Sequence, residues 1–402
     1  MKQELLMEIA DKIRTPAFVF SKEEFCHKAM KCRSEAAGRF RLCFSVKANP
    51  FLTDPYFEPD TLFHSFEACS PGELKICITN RIPPERILYS GVNKTEAEVK
   101  AAIALGVSLF TAESRRQLEI LNAIGEERGR ELSVLLRLSS DSQFGMDEEE
   151  LCGLIADRNR HRGVYIAGIH YFTGTQKKKV STIQKETGYL MHLYERIRRE
   201  TGCLLEFIEY GPGLNVSCFT DQPSFESAFS EALPSFTELA GTASLTIEMG
   251  RFFAADCGYY FTKVVDTKSN GGTNYAIVDG GMHQLHYDGQ IRGMKIPYCL
   301  RITAEQEKNA TDSPGRLWTI CGSICSNEDV LCRNVPFSDL QPGDILVFQN
   351  CGAYSFMEGM TTFLSREMPQ IWSFSETDGP ILLRDFIATD AFHIRRSRKN
   401  DT

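Results

Sequence analysis

Several signatures are missing from this 402-residue sequence, and each absence removes a class of function. There is no Gly-x-x-x-x-Gly-Lys segment, which excludes a nucleotide P-loop. Cysteines number 14, yet no two stand at C-x-x-C spacing and no Cys/His cluster has zinc-finger spacing. His283 and His286 are the one close pair among eight histidines, without a third ligand beside them, so no metal centre is expected. No apolar run is long enough to span a bilayer. The first residues, Met1 to Arg14, interleave Leu5, Leu6, Ile9 and Ile13 with charge, as an amphipathic helix does and a secretion signal does not. Reduced thiols and a cytoplasmic location are the matching expectation. Surplus positive charge is missing too: a formal net charge of -8 argues against nucleic acid as a partner. The basic runs Lys177 to Lys179 and Arg395 to Lys399 are short enough to be solvated surface.

What is present is a rhythm. Strand-like apolar runs centre on Phe44, Phe66, Leu88, Leu109, Leu135, Ile166, Phe207 and Thr246. Helical spacing fills the intervals: Ser70 to Ile78 behind a Ser-Pro-Gly-Glu capping box, Lys94 to Leu105, Ser114 to Glu127, Asp147 to Arg158, Ser181 to Glu200 and Phe225 to Ala240. Alternation at this interval implies parallel βα units, and eight of them predict a closed (β/α)8 TIM-like barrel over residues 30–255. An open doubly wound sheet shares the alternation but needs a Gly-rich first turn that is not there. After Arg251 the pattern changes to β-branched and aromatic runs at 261–265, 275–278, 317–320 and 345–348, separated by Gly, Asn and Asp. These predict a second, mainly antiparallel β domain over residues 256–402. The N-terminal helix and the strand around Phe18, residues 1–29, are expected to join it.

Chemistry in such a barrel gathers at the carboxyl ends of the strands. In the run Arg41 to Pro50, Leu42, Phe44 and Val46 alternate with Cys43, Ser45 and Lys47, which places Lys47 at a strand end on the inward side. Burial penalises an ammonium and frees a neutral amine to attack carbonyls, whereas a lysine that only lays its stem over apolar surface is the plainer alternative. The other ends offer Glu67, Arg137, His170, the turn Gly211-Pro-Gly213, and Glu248 followed by Gly250 and Arg251. Glycines directly after strands let backbone N–H groups approach an anion, and an arginine fork suits phosphate. A lysine, two phosphate-type turns and an inward carboxylate together suggest a phosphorylated aldehyde, and pyridoxal 5'-phosphate fits each part.

At this point the sequence resembles a known family. The segments Ser45 to Asn49, Phe66 to Leu74, Gly211 to Gly213, Glu248 to Arg251, Asp279 to Gly281, Cys325 to Asp329, Pro342 to Asp344 and Gly352 to Tyr354 occur in the order found in the fold-type III, alanine-racemase-like pyridoxal phosphate decarboxylases of diaminopimelate, ornithine and arginine. The resemblance implies α-decarboxylation in a homodimer with shared active sites. It implies Lys47 as the Schiff-base lysine and Glu248 as the partner of the ring nitrogen. Glu67, Arg137, Phe172 and Gly211 join the cofactor site, and Gly213, Gly250, Arg251 and Tyr354 hold the phosphate. Cys325 resembles the cysteine that returns a proton after carbon dioxide leaves. A small buried hydrophobe is the ordinary fate of a free cysteine and stays open for it.

Three departures separate the chain from the family pattern. Phe172 stands where the family has a cofactor-stacking histidine, with His170 two residues earlier on the same face. Ser326 replaces the acidic residue that reads the distal amine of the substrate, and Met249 follows Glu248 in place of proline. Losing the distal acid argues against substrates with a lysine-, ornithine- or diaminopimelate-like amino end. The segments Gly168 to Gln176, Val278 to His283 and Cys325-Ser326 resemble a branch of antibiotic and siderophore pathways, where the amino acid is modified or rides on a carrier protein. His170, Arg292, Ser326 and Asp329 are then the candidate substrate-binding residues, Arg292 reading a carboxylate or being plain surface charge. Diaminopimelate decarboxylation is the alternative substrate, and a cofactor-free regulatory homologue the alternative class. A racemase on this barrel needs a tyrosine opposite the lysine, where this chain has Cys325.

Overall fold

A computed structural model describes residues 1–303 and 315–395, so all of the basic run 395–399 except Arg395 lies outside the described residues. The chain divides into two units. One comprises Cys26–Val216 and Ser224–Phe253; the other takes Met1–Phe25, Ser217–Pro223 and the residues from Ala254. The first strand, β1 (Ala17–Ser21), belongs to the second of these.

The first unit is a closed barrel. Its parallel strands are β2 (Arg41–Ser45), β3 (Ser65–Ala68), β4 (Ile87–Tyr89), β5 (Leu109–Ala112), β6 (Leu132–Leu138), β7 (Val164–Phe172), β8 (Phe207–Gly211) and β9 (Ser244–Met249), and β9 returns to pair with β2. Every strand falls where the apolar runs placed it. Alternation then sorts the side chains: Phe44 of β2 stacks on Phe63 with ring centroids 5.2 Å apart, whereas Ser45 hydrogen-bonds to Glu248 of β9. Register aligns the polar set. Ser45 lies beside Glu67, Cys43 beside Glu248, Arg137 beside His170, and His170 beside Glu209.

Helices Pro71–Thr79, Glu96–Ala104, Arg115–Arg128, Glu148–Ala156, Val180–Thr201 and Ala228–Leu239 answer to the six expected from spacing. The capping box at Ser70 is displaced. Ser70 Oγ accepts from Glu73 N, but Glu73 reaches back to Cys69 N at 2.7 Å, one residue further out. A complete capping box instead starts the next helix, between Thr95 and Glu98. The helix Lys22–Ala36 was not expected, and the boundary between the units, Phe25 to Cys26, falls inside it. Its charged residues outnumber a sparse apolar stripe of Phe25, Cys26, Ala29, Cys32 and Ala36, which weakens the periodic signal.

The second unit is a nine-stranded sheet. After β1 come β10 (Gly258–Asn270), β11 (Thr273–Val278), β12 (Cys299–Ile302), β13 (Arg316–Cys321), β14 (Val330–Phe337), β15 (Ile345–Gln349), β16 (Gln370–Ser375) and β17 (Gly379–Arg384). Pairing is antiparallel except between β1 and β16 and between β11 and β13. Leu6 and Ile9 of the N-terminal helix pack with Val19, Tyr259, Phe261 and Val347. The Asp279-Gly-Gly281 motif is structural here. Asp279 accepts from Thr262 Oγ1 and Lys263 N, and a Cβ on Gly280 would lie 1.7 Å from the Tyr260 hydroxyl oxygen. Among the described residues no helix is long and apolar enough to cross a membrane.

Candidate active site

Lys47 sits in a single 3-10 turn, Val46–Ala48, just past the end of β2. Its side chain is 38% exposed, which corrects the expectation of a buried amine. Carboxylates meet its charge instead. Nζ donates to Glu67 Oε2, lies 3.8 Å from Glu248 Oε1, and is 3.6 Å from Cys69 Sγ. Glu67 is fully enclosed, and burial alone would push its carboxyl up; Lys47, with His170 and hydrogen bonds, outweighs that and holds it well below the usual range. Burial pushes the Cys69 thiol well up, so it remains a thiol and donates to Glu67 Oε1 at 3.3 Å.

Glu248 is the second pole. Its Oε1 accepts from Ser45 Oγ at 2.9 Å, and its Oε2 lies 3.0 Å from His170 Nε2, within ion-pair distance but out of line for a hydrogen bond. Arg137 pairs with a different carboxylate. Its guanidinium donates to Glu113 Oε1 at 2.8 Å and lies over the ring of Phe144, while Glu113 Oε2 accepts from Gly145 N. Glu67, His170 and Glu248 present ligand atoms within 4.8 Å of one another, the spacing of a metal site. The Lys47 ammonium also meets this group, pairing with Glu67 and lying 3.8 Å from Glu248 Oε1.

The turns close this end of the barrel. Phe172, half-buried, is paired in register with Gly211, and a Cβ on Gly211 would come 2.7 Å from the Phe172 ring. Gly213 has φ +60°, and a Cβ there would lie 1.9 Å from Gly174 O. Gly250 brings the end of β9 against the lysine turn, since its Cβ would meet that of Ala48 at 2.6 Å. Arg251 opens the short helix Arg251–Ala254.

Within the second unit, the β13–β14 connection carries Cys325, Ser326 and Asp329. Asp329 is buried and ties the loop shut: Oδ1 accepts from Met282 N at 2.7 Å and Oδ2 from Ile324 N at 2.9 Å. Cys325 is exposed, not a buried hydrophobe. Ser326 Oγ accepts from Glu328 N at 3.2 Å, and Glu328 takes both its oxygens to Arg292 Nε at 2.7 Å each. Arg292 is thus paired at the surface. Tyr354 stands at φ +64° after Gly352, whose Cβ would clash with Ala254 O at 2.0 Å.

Three participants were not singled out from sequence: Ser45 and Cys69, which touch Glu248 and Glu67, and Glu209 of β8. Glu209 is enclosed in the barrel with Oε1 lacking a partner, and burial, then Glu248, raises its carboxyl well above the ordinary range. The alternation Glu209-Tyr210-Gly211 before the glycine turn was the available signal.

The family model described as pyridoxal-dependent decarboxylase, pyridoxal binding domain, matches residues 23–255. The L-glutamyl-[BtrI acyl-carrier protein] decarboxylase of Niallia circulans is 25% identical, covering 92% of this chain and 91% of its own. The diaminopimelate decarboxylase of Aquifex aeolicus is 28% identical, covering 87% of this chain and 84% of its own. A crystal structure of an Aquifex aeolicus protein superimposes with a TM-score of 0.83 at 26% identity, over 96% of this chain and 92% of that one.

Proposed function

The chain belongs to the pyridoxal-dependent decarboxylases, and on that premise we propose that it removes the α-carboxylate of an amino acid held in a larger conjugate or on a carrier protein. The fit of the cofactor rests on the donor set. A single amine at a strand end faces two enclosed carboxylates, and beside it Glu248 Oε2 and both ring nitrogens of His170 are buried without a hydrogen bond. Lys47 Nζ would hold the aldehyde carbon, and Glu248 would hold a proton at the ring nitrogen. Phe172 offers a ring face for stacking, without a proton to give. Gly213, Gly250 and Arg251 would take the phosphate. Bound there, pyridoxal phosphate would supply the electron sink for the pair left on the α-carbon when carbon dioxide departs.

The chain's own groups do the rest. Glu67 receives the Lys47 ammonium and so fixes where Nζ points when no aldehyde is bound. Ser45 orients Glu248 through Oε1, leaving Oε2 toward His170. Cys325, with Tyr354, completes the site by resemblance, Cys325 returning the proton from a neighbouring subunit of a cytoplasmic homodimer.

One observation carries the choice of a conjugated substrate. The position that would read a distal amine is Ser326, whose hydroxyl accepts a backbone N–H, and the acid two residues on, Glu328, is taken by Arg292. No carboxylate of that segment is open to a distal ammonium: Asp329 is tied to backbone as well. Similarity to the Niallia circulans enzyme supports the same choice. The 28% identity to a diaminopimelate decarboxylase supports the second substrate. Carbon dioxide release from the loaded protein decides between them, across diaminopimelate, ornithine, lysine, arginine and carrier-bound glutamate. Turnover confined to the carrier-bound substrate is the expected result; turnover of free diaminopimelate would overturn the argument from Ser326.

A further inference from the structure

Glu186 lies on the helix Val180–Thr201, whose buried face is otherwise supplied by Ile183, Thr187, Leu190, Leu193, Tyr194 and Ile197. Its side chain is only 11% exposed, a nearly enclosed carboxylate on a mostly apolar face. Such a charge is costly unless donors replace the lost water, and an apolar residue would hold a helix to a barrel without that cost. Three donors do replace it. Oε1 accepts from Thr173 Oγ1 at 2.5 Å, and Oε2 accepts from Lys177 Nζ at 2.7 Å and from the Tyr210 hydroxyl.

The donors sit at telling places. Thr173 directly follows Phe172, the ring residue. Lys177 lies further along the same loop, and its backbone N donates to Gly213 O at 2.9 Å. Tyr210 directly precedes Gly211. Between these points the loop and the glycine turn interlock: Gly174 O fills the space of a Gly213 Cβ, and Gln176, at φ +57°, accepts from Val216 N through its side chain at 3.0 Å. Burial pushes the Tyr210 hydroxyl up, with Glu186 adding to the effect, so it stays a donor. One carboxylate therefore holds two points of the loop and the strand end that feeds the Gly-Pro-Gly turn.

We propose that Glu186 is a positioning residue: through Thr173, Lys177 and Tyr210 it fixes the Gly211-Pro-Gly213 turn in the shape that takes the cofactor phosphate. The proposal rests on the assignment of that turn made above. Without Glu186 the helix and barrel remain, but the turn and the loop are no longer held at one point.

The test separates phosphate binding from general loosening. The full-length apoprotein is titrated with pyridoxal 5'-phosphate and with pyridoxal, following the absorbance of the bound chromophore, in wild type, Glu186→Gln, Glu186→Ala and the control Lys185→Ala on the exposed face. Glu186→Ala is expected to lose about tenfold of the preference for the phosphorylated form, the scale of charge-assisted hydrogen bonds that hold a site in register. Glu186→Gln, which keeps the shape and one acceptor, should lose less, and Lys185→Ala nothing. A preference unchanged in both Glu186 variants, or an equal loss for both ligands, would overturn the proposal in favour of plain helix support. A wild type that shows no preference for the phosphorylated form would bring down the phosphate assignment itself, and the proposal with it.

Discussion

The two units place their candidate residues in opposite ways. In the barrel they stand on strands or within three residues of a strand end, and their positions follow from register: Cys43 beside Glu248, Ser45 beside Glu67, Arg137 beside His170. In the sheet unit they stand on connections. Cys325 is exposed, Arg292 is held by a surface ion pair, and Asp329 spends its carboxylate closing its own loop. A closed barrel fixes inward side chains against one another, so register alone decides which of them meet. A loop keeps its reactive group available by keeping it outside the packing, and its role shows only when a partner is met.

The sharpest break between the units is Lys47→Ala. Carbon dioxide release should fall by about three orders of magnitude or more, since the proposed attachment point of the cofactor is lost. Borohydride should then no longer trap the cofactor on the chain, as mass spectrometry of the reduced protein would read. Glu248→Gln comes next. It keeps the hydrogen bond from Ser45 but removes the charge, and kcat should drop by about a hundredfold with Lys47 trapping intact. Should Glu248→Gln retain full turnover, the ring-nitrogen role fails while the barrel geometry stands.

Cys325→Ala probes the other unit. Its side chain is exposed, so stability should move by less than about 0.5 kcal/mol while kcat falls by roughly ten- to a hundredfold, the scale of a lost general acid. Steady-state kinetics and thermal unfolding together check both halves. A destabilised protein with normal turnover would make Cys325 a packing residue and erase the contrast drawn above.

The same division governed what could be read before the fold was known. The eight barrel strands and six of the helices followed from period, because a strand enclosed by helices leaves a run of apolar residues. Lys47, Glu67 and Glu248 followed from strand-end position. The degree of burial of Lys47 did not, since the residue lies past the strand in a turn whose direction no alternation predicts. Arg137 was found, but its partner Glu113 depends on which neighbouring strand end faces it. In the sheet unit, β12, β14, β16 and β17 were not anticipated. Strand β17 explains why: its residues Gly379–Arg384 are half-buried or exposed throughout, so no clean period-2 pattern is printed there.

Acid should separate the units with the smallest effect of all. His283, in the sheet unit, is buried with neither ring nitrogen hydrogen-bonded, and burial, then Arg366, lowers it to about 4. Its folded pKa is below its unfolded value of about 6.5, so the unfolded chain binds the proton first. The sheet unit is therefore expected to keep its full stability above pH 6.5 and to lose on the order of 1–2 kcal/mol as pH falls toward 4, after discounting for solvent screening. Glu67, in the barrel, is also depressed, but as a carboxylate paired with Lys47. Its contribution is complete above the ordinary glutamate range and disappears only as pH falls through and below it. Descending from neutral pH, hydrogen exchange should thus rise first in peptides around 276–302 and only later in those around 41–69. His283→Phe should flatten the first window and leave the second. Simultaneous loosening of both sets of peptides, unchanged by His283→Phe, would mean that the two units respond to acid as one.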